Sequence, residues 1–143
     1  MVSEANNLQL LDDYLAEITK LLRQIEGITL NQQQVLCTDP LDDESLNMIE
    51  QMAGFKENLT NDVERVENKF QMLYSEVKPF LTDKSFVARL QTNISVVLNL
   101  KDNVIRLEQM NADSLKRELN QKLGKVIVPK KPEEIINKYK RFK

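Results

Sequence analysis

The chain has 143 residues and a mass of 16.6 kDa, which is one domain's worth. At 41% hydrophobic and 29% charged residues it is too apolar to stay disordered, and it holds no His, no Trp and a single Cys. Imidazole chemistry, paired-thiol metal sites and a disulfide framework are therefore excluded. The formal net charge of −2 conceals an acidic body and a basic end. Residues 124–143 carry seven Lys/Arg against two Glu, a balance of +5 that leaves −7 for residues 1–123. A body of that sign discourages a nucleic-acid role, and only the basic end could meet phosphate. No apolar run approaches the roughly 20 residues that span a bilayer, so stable membrane insertion is not expected. Met1–Asn7 has neither the basic nor the apolar region of a secretory signal, and the expected location is the cytoplasm.

From Glu4 to Cys37 there is no Pro, and apolar residues recur in alternating steps of three and four. Leu8, Leu15, Leu22 and Leu36 share one heptad position and Leu11, Ile18 and Ile25 the other, with Thr29 and Gln32 as polar members. This pattern predicts one long helix with a coiled-coil-like seam. Cys37 reads as a reduced thiol at its end. In Cys37–Glu44 the spacing predicts a helix restart, with Asp39 as the cap and Pro40 in the first turn.

The second helix is expected over Pro40–Val77, with a seam through Ile49, Met52, Lys56, Leu59, Val63, Val66, Phe70, Leu73 and Val77. Gly54 and the charged Lys56 mark a weak turn in it. Glu64 and Glu67 read as a solvated face paired with Arg65 and Lys69. Lys78-Pro79 ends the helix, because Pro79 lacks an N–H and disfavours α geometry at Lys78.

Thr82 or Asp83 caps a third helix carried from Asp83 to Leu123, with Gly124 as its terminator. Its seam takes Phe86, Leu90, Val97, Leu100, Val104 and Leu107, interrupted by Asn93 and Asn111. Residues 125–143 then form an extended connector with Val126, Ile127 and Val128 and a short basic segment bearing Ile135, Ile136, Tyr139 and Phe142. The predicted architecture is all-α: residues 1–124 as an elongated antiparallel three-helix bundle, and 125–143 as a mobile basic tail.

No catalytic residue emerges. An inward-facing di-metal site needs His, a phosphate loop needs clustered glycines, and the serines have no base beside them. The expected protein is not an enzyme and takes no cofactor. Attention falls on the last third, where Leu107, Met110, Asn111, Leu115, Leu119 and Leu123 outlast the shorter partner helices and leave an apolar flank. With Val126, Ile127, Val128, Ile135, Ile136, Tyr139 and Phe142 they make the expected partner-binding set. The alternative is that this segment folds back or closes a homodimer.

The chain resembles the FlgN/FliT-type flagellar export chaperones over about residues 8–123. The stretches that carry the likeness are Leu15–Leu22 (LAEITKLL), Met52–Glu64 (MAGFKENLTNDVE) and Val104–Leu115 (VIRLEQMNADSL). The resemblance implies a protein that binds the carboxyl-terminal helices of hook-associated or filament-cap proteins and delivers them to the export gate. It also implies that Asn111, Leu115, Leu119 and the residues beyond belong to the substrate-binding region. A self-associating coiled-coil scaffold is the alternative function.

Overall fold

A computed structural model describes residues 4–37 and 41–123. The described chain is all-α. It contains α1 (Glu4–Leu36), α2 (Asp43–Val77), a 3₁₀ turn (Lys78–Phe80) and α3 (Lys84–Leu123). The long helices have 33, 35 and 40 residues, so each is a rod of roughly 50–60 Å at about 1.5 Å per residue. Helices of this length are held by side-chain burial along a stripe, because propensity alone contributes little.

The expected boundaries hold except at the α2 start. Asp42, and not Asp39, is the N-cap: its side chain accepts from Ser45 N at 2.8 Å, and the helix begins three residues later than the Pro40 signal suggests. Residues 38–40 lie outside the described residues. At the next turn Pro79 tightens the chain into the 3₁₀ segment. Asp83 then caps α3, its Oδ1 accepting from Ser85 N at 2.9 Å and Phe86 N at 3.2 Å.

The three helices form a bundle with α1 as its shared member. α1 packs against both α2 and α3, whereas among the described residues no Cα of α2 comes within 8 Å of a Cα of α3. The main core is therefore built on the α1 seam. Leu11, Leu15, Ile18, Leu22 and Ile25 are buried against Val63, Val66 and Val77 of α2 and Phe86, Leu90, Val97, Leu100 and Val104 of α3. A second cluster closes the end of the bundle, where Leu36, Leu41 and Ile49 bury Leu115 and Leu119.

Gly54 does not weaken the helix into a bend, since α2 runs unbroken through it. A Cβ built on Gly54 meets nothing within 4 Å. Gly54→Ala should therefore stabilise the protein by about 0.5–1 kcal/mol, through lower backbone entropy in the unfolded chain. Urea denaturation followed by circular dichroism measures it, and a loss of stability would show that the position is held open for another reason.

Candidate functional site

Four polar side chains and one cation interrupt the apolar seams at one level of the bundle. Thr29 and Gln32 of α1, Lys56 of α2, and Glu108 and Asn111 of α3 are all buried. Lys56 pairs with Glu108 across the gap between α2 and α3, with side chains 0% and 3% exposed. Thr29 Oγ1 lies 2.7 Å from the Ile25 carbonyl, 3.1 Å from Glu108 Oε1 and 3.4 Å from Lys56 Nζ. Asn111 Nδ2 donates to the Thr29 carbonyl at 2.9 Å, and Gln32 Nε2 to the Ile49 carbonyl at 3.0 Å. Thus Lys56 is no frayed turn. It is an internal cation whose carboxylate stands 52 residues further along the chain. Burial pulls its pKa below the ordinary 10.5, and this outweighs the opposing pull of Glu108.

A groove lies between α2 and α3 further along the bundle. Its floor is Leu15 and Ile18 of α1, its walls are Phe70 and Tyr74 of α2 and Ile94, Val97 and Leu98 of α3, and it encloses about 400 Å³. The Phe70 and Tyr74 rings stack at 6.0 Å with planes 8° apart, giving one wall a flat aromatic surface. Leu98 is 54% exposed although it borders buried core residues. An ion pair between Glu67 and Lys101 spans the groove. Glu67 thus reaches to α3 rather than to the expected Lys69, while Arg65 meets Asp62 at 3.6 Å. A more open depression between α1 and α2 has Gly27, Ile28, Phe55 and Leu59 on its walls, with Phe55 63% exposed.

The expected apolar flank after Leu107 is closed. Leu107, Asn111, Leu115 and Leu119 are buried, and Met110, at 42%, is open to solvent. The reason is register. Asp12 meets Arg89, Glu26 meets Asn103 and Thr29 meets Asn111, so Leu36 and the turn after it stand level with Leu115 and Leu119 and cover them. The starts of α1 and α3 are nearly level, so the cover comes from the end of α1 together with Leu41 and Ile49 beyond it. Leu123 ends α3. Val126, Ile127, Val128, Ile135, Ile136, Tyr139 and Phe142 lie outside the described residues. The groove that sequence reasoning missed had a faint signal in Ile94 and Leu98, apolar positions beside the α3 seam.

Among the described residues no group of His, Cys, Asp and Glu is placed to hold a metal ion, and no helix is long and apolar enough to cross a membrane. Compared with protein-family models, with curated proteins and with solved structures, the chain matches none.

The buried pair supports two tests. Lys56→Met strands the Glu108 carboxylate in the interior and should lose about 3–5 kcal/mol, whereas Lys56→Met with Glu108→Leu should recover most of it. A double-mutant cycle in urea measures the coupling, and additive losses would deny the pairing. The pair also makes stability depend on pH. The unfolded chain keeps Lys56 at its ordinary value of 10.5, while the folded protein releases that proton earlier. Over the interval between the two values the unfolded state binds more protons, so this residue's contribution to stability rises with pH there. Urea midpoints measured up to pH 10.5 should show this rise in the native protein and lack it in the double variant.

Proposed function

We propose that the protein is a holding chaperone that seats an amphipathic helix of a partner protein in the groove between α2 and α3. The observation that carries this reading is the groove itself, in which apolar side chains of all three helices surround a gap too wide for the backbones of α2 and α3 to bridge. A guest helix laid there buries Leu98, Ile94 and the Phe70–Tyr74 face and completes a four-helix arrangement. The three helices form an elongated up-down-up antiparallel bundle in this reading. It is supported by the opposite order of partners between α1 and α2, where Thr29 is near Lys56 and Gln32 near Ile49.

The partner class follows from the likeness to FlgN/FliT-type chaperones. The guest is the carboxyl-terminal helix of a hook-associated or filament-cap protein, held in the cytoplasm until it is handed to the export gate. The task is occupancy rather than turnover: while the groove covers the guest's apolar face, that face cannot assemble with its own kind. No cofactor is required.

Coexpression with carboxyl-terminal fragments of late flagellar proteins should yield a complex that survives a sizing column. Failure with all of them removes the flagellar assignment. Leu98→Glu should weaken the complex roughly tenfold or more, about 1.4 kcal/mol per decade, while helicity stays unchanged, because an exposed position tolerates the charge. Undiminished binding would place the guest elsewhere.

A further inference from the structure

The two apolar clusters of the bundle share no residue. Buried members of the larger reach no further than Ile25 on α1, Val63 on α2 and Val104 on α3, while the smaller joins Leu36, Leu41 and Ile49 to Leu115 and Leu119. Between them the seams carry Thr29, Gln32, Lys56, Glu108 and Asn111. The Gln32 bond to the Ile49 carbonyl ties the end of α1 to the start of α2, and the Asn111 bond to the Thr29 carbonyl joins them to α3. Both α1 and α2 have a glycine at this boundary. Gly27 lies two residues before Thr29 and Gly54 two before Lys56, residues whose side chains meet at 3.4 Å. A Cβ on either glycine meets nothing within 4 Å, so packing does not call for glycine at either position. What glycine adds there is backbone freedom, at the expense of helix strength.

We infer that the end of α1 (28–36) and the start of α2 (43–53) act together as a hinged cover over α3, which swings about Gly27 and Gly54 and uncovers Leu115 and Leu119. Hinges of this kind concentrate the change of backbone angles in a few residues. The Gln32–Ile49 bond moves with the cover and keeps its two helices together. Opening breaks the small cluster and the Asn111–Thr29 bond, but Lys56 follows Gly54 in the chain and stays with Glu108. The larger cluster stays closed, because the polar layer leaves the two cores no common member through which one could disrupt the other. α3 then presents an apolar surface that the closed bundle lacks. This inference is independent of the α2/α3 groove.

Thiol labelling of the full-length protein under native conditions tests it. Cys37→Ser removes the exposed native thiol, and on that background Leu115→Cys reports on the covered part of α3 and Val66→Cys on the larger core, positions 0% and 1% exposed. Leu115→Cys should label roughly tenfold faster or more. Adding Ile18→Val, which removes one methylene from the larger core, should speed Val66→Cys roughly fivefold and leave Leu115→Cys unchanged, since that core remains folded while the cover opens. Gly27→Ala with Gly54→Ala should slow Leu115→Cys several-fold. Equal labelling of the two thiols, or equal acceleration of both by Ile18→Val, would show a single cooperative unit and overturn the inference. Leu115→Cys labelling that the alanine pair leaves unchanged would overturn it as well, because fraying of α3 from its own end gives that result. Circular dichroism of each variant checks the helix content, and Ile49→Cys repeats the reading from the cover itself if Leu115→Cys loosens the fold.

Discussion

The meeting of Lys56 and Glu108 is the constraint around which this bundle is organised. Two ionised groups taken out of water lose several kcal/mol of solvation each, and they regain it only in good mutual geometry with further hydrogen bonds. Thr29 supplies part of that support from α1. Glu108 Oε2 is buried without a hydrogen-bond partner among the described residues, so the support is incomplete. An arrangement of this kind contributes uniqueness more than strength. Leu and Ile seams can slide by one heptad with modest loss, but a slide here would bury the cation away from its carboxylate and strand Asn111 away from the Thr29 carbonyl.

That constraint also explains the shape of the groove. α2 and α3 both pack on α1, and among the described residues no Cα of one comes within 8 Å of a Cα of the other, while side chains join them at Lys56–Glu108 and at Glu67–Lys101. Long charged side chains span a distance that apolar residues leave open. The seam between these helices carries the groove where Glu67 and Lys101 meet. A core built on one shared helix gives the molecule a floor of Leu15 and Ile18 with no roof.

Much of the fold was legible in the residues. The α1 seam, including the buried Thr29 and Gln32, followed from heptad spacing, and the turns followed from Pro79 and Asp83. Distance in sequence hid the rest. Lys56 looked like a defect because nothing local reveals a carboxylate 52 residues away. Leu115 and Leu119 looked exposed because nothing within α3 reveals that the end of α1, Leu41 and the start of α2 fold over its last third. The groove was less legible still, since Ile94 and Leu98 sit one step off the seam and differ from core residues only in what the neighbouring helix fails to cover.

Cys37 adds one further consequence. It is an exposed thiol just past the end of α1. An oxidant that coupled two copies through it would tether them at the turn after α1, well away from the groove over Leu15 and Ile18. Oxidised and reduced protein would then differ in mass while keeping the same trough.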